Sequence, residues 1–290
     1  MNTHKPKRSR GIYLLPNLFT TAALFSGFFA ILASINGHYE QAAMAIFAAM
    51  ILDALDGRVA RLTNTQSAFG AEYDSLADVI SFGLAPSIII YQWALTGLGK
   101  VGWLAAFVYA AGTALRLARF NTQIGIVDKR YFQGLPSPAA AAIMAGALWV
   151  SVDNGIEGTD VSYLVAFISI ATGLLMVSNV RYHSFKDIDF KGKVPFFVMV
   201  IVMLGFAVVL SQPPLVLFLV FLGYAISGPV FTLTKLKQHR DVRNASNETD
   251  SEPEESDPKE TGPRETVPGK AGSKETITEN EVQQPKTGQE

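Results

Sequence analysis

Four aspartates fall where an apolar sequence has little use for them. Asp53 and Asp56 close one hydrophobic run, and Asp74 and Asp78 open the next. Charge near a bilayer is costly and needs a partner or a task. The i, i+3 spacing puts Asp53 and Asp56 on one helix face, and the i, i+4 spacing does the same for Asp74 and Asp78. The connection between the runs is long enough for two antiparallel helices with those faces opposed. Converging carboxylates repel unless cations sit among them. An all-oxygen ligand set at an aqueous edge suits Mg²⁺, Mn²⁺ or Ca²⁺ rather than Zn²⁺.

The neighbouring residues extend this chemistry. Gly57 follows Asp56 directly, although glycine costs a helix about 1 kcal/mol relative to alanine. Gly57 and Ala60 leave a bare strip where a flat ligand can reach the backbone. Arg61 adds a permanent cation matched to phosphate oxygens. The group reads as a pocket for a diphosphate and its metals. A plainer reading is an ion-paired helix end, with Asp56 against Arg61 and Asp74 capping the following helix. It accounts for the residues singly better than for the set.

The elements that must position these residues are transmembrane helices. Of 290 residues, 49% are hydrophobic and 17% charged, and the two kinds are segregated. Residues 1–12 form a basic arm, 13–234 are dominated by apolar runs, and 235–290 are almost wholly polar. Such a tail buries too little apolar surface to offset its ordering entropy and is expected to be disordered. The remainder is expected to be an all-α bundle of about eight spans, near 14–36, 39–60, 75–97, 101–122, 136–152, 161–178, 195–211 and 214–234. With both termini on the cytoplasmic side, every Lys and Arg except Lys100 falls inside. A six-span arrangement follows if a short segment is re-entrant. Small residues such as Ala42, Ala43, Ala45, Ala48 and Ala49 suit close helix packing. There is no cysteine, which excludes disulfides and thiolate chemistry.

The complete pattern Asp53-x2-Asp56-Gly57-x2-Ala60-Arg61-x8-Gly70-x3-Asp74-x3-Asp78 resembles the signature of the CDP-alcohol phosphatidyltransferases. The resemblance implies two divalent metals, Mn²⁺ or Mg²⁺, held by Asp53, Asp56 and Asp74. Asp78 is then the general base, with metal contact as well. Gly57, Ala60 and Gly70 make room for the cytidine nucleotide, and Arg61 holds its diphosphate. Asn17 and Thr20, in the family-like stretch Pro16–Thr20, are expected at the nucleotide or its metal shell; without the family they read equally well as a helix start. The donor implied is CDP-diacylglycerol, the companions are membrane lipids, and a homodimer is expected, with no nucleic-acid partner.

Ser81–Pro86, Arg116–Asn121, Tyr131–Pro138 and Val177–Tyr182 are similar to stretches of the membrane-integral phosphatidylserine synthases within that family. They imply L-serine as acceptor, a bacterial inner-membrane location, and an acceptor site drawn from Arg116, Arg119, Asn121, Ser137, Ser178 and Arg181, with Tyr182 and Lys186 nearby. The arginines are equally readable as lipid-headgroup contacts. Glycerol 3-phosphate or inositol phosphate as acceptor predicts a denser basic cluster. A cation- or proton-coupled transporter predicts carboxylates near mid-membrane, and an inactive metal scaffold predicts that Asp78 is dispensable.

Overall fold

The computed structural model of the chain describes residues 14–123, 131–183 and 196–249. Helix α1 (Leu14–Ile35) and helix α2 (Tyr39–Thr63) form a hairpin. Helix α3 (Ala68–Leu98) and helix α4 (Lys100–Gln123) form the next. Strand β1 (Tyr131–Gln133) leads into α5 (Ser137–Asp153), and α6 (Ser162–Val177) leads into strand β2 (Arg181–His183). Helices α7 (Phe196–Ser211) and α8 (Pro213–Thr249) complete the order. The chain divides into two units, Met1–Arg243 and Asn244–Glu290, and the candidate site lies wholly in the first.

Each expected span overlaps one of these eight helices. Four segments, Leu15–Ile35, Ala68–Leu98, Lys100–Thr122 and Pro213–Thr232, are long and apolar enough to cross a membrane; α5, α6 and α7 are shorter apolar helices. The third helix begins at Ala68 rather than near residue 75. Its N-cap is Ser67, whose Oγ accepts from the Gly70 N–H at 3.0 Å. Asp74 is therefore two turns inside the helix and does not cap it. Hydropathy marks where a helix enters lipid, and the cap marks where it starts. Helix α8 runs past the expected boundary at 234 to Thr249. The basic arm and residues 250–290 lie outside the described residues.

Small residues set the spacing between helices. Ala42, Ala43, Ala45 and Ala49 are buried, whereas Ala48 is exposed, so packing accounts for most of that stripe. Gly27 of α1 faces Ser81 of α3, where a Cβ would lie 2.7 Å from the Ser81 Cα. Only glycine permits this approach, which brings the first and third helices together beneath the aspartates.

The two short strands were not anticipated. They pair antiparallel, with Tyr131 opposite His183 and Gln133 opposite Arg181. Gly134 N–H donates to the Val180 carbonyl at 2.8 Å, and Leu135 N–H to the Leu175 carbonyl at 3.0 Å. The chain entering α5 is thus tied to the end of α6.

Candidate functional site

The aspartates meet because two helix ends face each other. Asp53 and Asp56 occupy the last turns of α2, and Asp74 and Asp78 the early turns of α3. One carboxylate oxygen from each of Asp53, Asp56 and Asp74 lies within 4.8 Å of the others. Asp53 is also in close contact with Asp78. The Asp74 Oδ1 is buried and has no hydrogen-bond donor. A buried acceptor facing other acceptors is unfavourable by itself. Hard divalent cations supply what this all-oxygen set lacks, so the residues fit such ions.

Thr20 orients one member of the set. Its hydroxyl donates to Asp56 Oδ2 at 2.7 Å, and the side chain is 4% exposed. A second link from α1 joins the Thr21 hydroxyl to the Tyr73 hydroxyl at 2.9 Å. Helix α1 therefore braces both carboxylate-bearing helices at the level of the cluster.

A cleft of about 390 Å³ opens beside the aspartates. Asn17, Thr20, Gly57, Ala60, Arg61 and Gly70 all line it, together with Asp56 and Asp74. These are the residues expected to meet a nucleotide diphosphate. A Cβ on Gly57 would meet only the Arg61 guanidinium, at 3.9 Å, so the glycine leaves open space. The Asn17 Oδ1 lies 3.5 Å from where a Gly70 Cβ would stand. Sequence reasoning missed Thr65, Gln66, Ser67, Ala71 and Phe120, which also line the cleft. Ser67 was detectable as a helix-capping residue. Phe120 lay in a family-like stretch but carried no signal of its own.

On the far side of Asp78 the expected acceptor residues divide into groups. Arg116 of α4 is buried at 9% exposure, donates to Ser137 Oγ at 2.9 Å, and its Nε has no partner. It is close enough to Asp78 to interact with its charge. Asn121 hydrogen-bonds with Ser75, which sits between Asp74 and Asp78 in sequence. Arg119 faces elsewhere. Its terminal nitrogens donate to the carbonyls of Val177, Gln133 and Ser178 at 3.1, 3.3 and 3.1 Å, and to Asn179 Oδ1 at 3.2 Å. Ser178 Oγ donates to the Leu175 carbonyl at 2.8 Å. Arg119 and Ser178 thus tie the strand connections together. Tyr182 is fully buried against α8, its hydroxyl donating to the Ala225 carbonyl at 3.0 Å. The Arg181 side chain and Lys186 lie outside the described residues.

Comparison with known proteins identifies the family of the chain. A family model described as CDP-alcohol phosphatidyltransferase matches residues 13–178. A Helicobacter pylori CDP-diacylglycerol–serine O-phosphatidyltransferase is 40% identical over 229 residues, 78% of this chain and 94% of the relative. The protein of that name from Mycobacterium tuberculosis is 32% identical over 249 residues, 82% of this chain and 86% of the relative. An archaetidylserine synthase from Methanothermobacter thermautotrophicus is 35% identical over 178 residues, 61% and 72% of the two chains.

Proposed function

The chain belongs to the CDP-alcohol phosphatidyltransferase family, and from that premise we propose that it transfers the phosphatidyl group of CDP-diacylglycerol to the hydroxyl of L-serine. The products are phosphatidylserine and CMP. One observation carries the reading: Asp56 and Asp74 belong both to the carboxylate cluster and to the cleft that Arg61 and Gly57 line. A site for cations and a site for a diphosphate are therefore continuous. The names of the Helicobacter and Mycobacterium relatives support serine as the acceptor.

The division of labour follows from position. Asp53, Asp56 and Asp74, with Asp78, would hold two divalent ions, Mg²⁺ or Mn²⁺. Those ions, when bound, neutralise the diphosphate and the charge on departing CMP. Arg61 holds the diphosphate, and Gly57, Ala60 and Gly70 admit the nucleotide, with Asn17 and Thr20 beside it. Asp78 takes the proton of the serine hydroxyl as its oxygen bonds to the lipid-bearing phosphorus and the bond to CMP breaks. Arg116, supported by Ser137, meets the serine carboxylate; a buried guanidinium with an unpartnered N–H suits that group. Asn121 steadies the helix between Asp74 and Asp78. Arg119 and Ser178 position the connections around the acceptor. The distribution of Lys and Arg supports eight spans with both termini cytoplasmic, and together with the family resemblance it supports a site at the inner face of a bacterial cytoplasmic membrane. Resemblance to the family supports a homodimer.

The test is CMP release by the purified protein in detergent with CDP-diacylglycerol and Mn²⁺ or Mg²⁺. Serine, glycerol 3-phosphate and inositol phosphate are supplied in turn, and Asp78→Asn is run in parallel. Serine-dependent release that Asp78→Asn abolishes is the expected result. Release with a different alcohol overturns the acceptor. No metal-dependent release from folded protein overturns the transferase reading.

A further inference from the structure

We propose that Tyr109 is a positioning residue for Asp78, acting through a widened turn of α3 that Pro86 creates. The inference rests on the reading of Asp78 as the base.

It begins with a defect in the helix. Regular α-helical bonding pairs the Phe82 carbonyl with the N–H four residues on, but that residue is Pro86, which has none. The proline ring also crowds that carbonyl. The helix responds with a π-helical segment over Val79–Leu84, beginning one residue after Asp78. There the Ala85 N–H reaches back five residues to the Ile80 carbonyl. A second π segment spans Tyr91–Leu95. Each widened turn takes up extra chain and rotates the residues beyond it about the helix axis. Regular spacing from Asp78 would turn Gln92 inward, yet Gln92 is exposed while Ala94 and Leu95 are buried. The widened turns therefore reconcile two demands, an aspartate pair facing α2 and an apolar face packed in the core.

The carbonyl that Pro86 cannot serve has a side-chain partner. Tyr109 of α4 is fully buried, and its hydroxyl donates to the Phe82 carbonyl at 2.9 Å. From the opposite side, Ser81 Oγ donates to the Ala23 carbonyl of α1 at 3.1 Å, at the close approach that Gly27 permits. Gly83 backs onto Thr113, one turn of α4 beyond Tyr109. The π segment is thus pinned from two helices at the turn immediately after Asp78. Single-turn π segments often mark functional sites, and here the pins fix the helix phase with which Asp78 meets Asp53. None of Tyr109, Ser81 or Pro86 lines the nucleotide cleft.

The experiment uses the full chain and three variants, Tyr109→Phe, Ser81→Ala and Tyr109→Phe combined with Pro86→Ala. The combined variant returns the N–H that regular α-helical bonding would give the Phe82 carbonyl, so it lets the helix revert to that bonding without restoring the pin. We expect Tyr109→Phe to lower kcat for serine-dependent CMP release by roughly 10- to 100-fold, with KM for CDP-diacylglycerol within about twofold. Ser81→Ala should move kcat in the same direction. The combined variant should regain thermal stability but not kcat. Recovery of both overturns the proposal, because Tyr109 would then only satisfy a carbonyl. Full activity in Tyr109→Phe also overturns it, as does a loss confined to KM. Should Tyr109→Phe fail to fold, the combined variant and Ser81→Ala decide by the same kcat criterion. If Asp78→Asn is fully active, the base assignment fails and the proposal with it. An inactive Asp78→Asn beside a fully active Tyr109→Phe sinks only the positioning role.

Discussion

Replacing Thr20 by valine removes one hydroxyl from the carboxylate cluster and almost nothing else. Valine keeps the shape and the β-branch, and the site is buried at 4% exposure, so packing is conserved. The short bond lost is the 2.7 Å donation to Asp56 Oδ2, and the longer 3.3 Å contact with the Pro16 carbonyl goes with it. A hydrogen bond to a charged group is worth about 1.5–3 kcal/mol. At about 1.4 kcal/mol per tenfold, that is roughly a 10- to 150-fold change in a binding constant. Loss of a group that orients a metal ligand weakens metal binding by about 10- to 100-fold, a range that agrees. Thr20→Val should therefore raise the Mn²⁺ concentration for half-maximal CMP release by one to two orders of magnitude, and saturating Mn²⁺ should recover most of the rate. The same shift should appear without turnover, as a higher Mn²⁺ concentration needed to raise the Tm of the protein in detergent. Thr20→Ser should restore both. Unchanged Mn²⁺ dependence in Thr20→Val would refute the claim that this hydroxyl orients a metal-binding carboxylate.

Other perturbations separate packing from chemistry. Gly57→Ala adds a methyl that meets only the Arg61 guanidinium, at 3.9 Å. It should leave the Tm unchanged or slightly raised while raising KM for CDP-diacylglycerol, and an unchanged KM would remove Gly57 from the nucleotide site. Gly27→Ala drives a methyl to 2.7 Å from the Ser81 Cα. It should destabilise the protein by about 1–3 kcal/mol, read as faster thermal inactivation in detergent. Arg119→Lys keeps the charge but cannot span the carbonyls of Val177, Gln133 and Ser178. A lower Tm is expected, and an unchanged Tm would show that these hydrogen bonds do not brace the fold.

The amino-acid pattern located the helices to within a few turns and singled out the carboxylates that the fold brings together. Long apolar runs have few alternatives in lipid, because every backbone group must be satisfied within the segment. The spacing of Asp53, Asp56, Asp74 and Asp78 survives in any helical arrangement, since i, i+3 and i, i+4 residues share a face whatever surrounds them. The six residues expected at the nucleotide were legible for a related reason: they lie within two turns of the aspartates or on the first helix that braces them.

Contacts between helices depended on packing that no local pattern encodes. Arg116 and Arg119 are one turn apart and look alike in sequence, yet one lies buried near Asp78 and the other ties together the strand connections. That difference arises from contacts with α5 and α6, remote in sequence. The start of α3 was misjudged because hydropathy reports lipid, whereas Ser67 reports the end of the helix. The proline at residue 86 was visible from the outset. That the Phe82 carbonyl would be taken by Tyr109, 27 residues on, could be known only once α3 and α4 were packed together, because a hydrogen bond to a side chain depends on distance and not on sequence pattern.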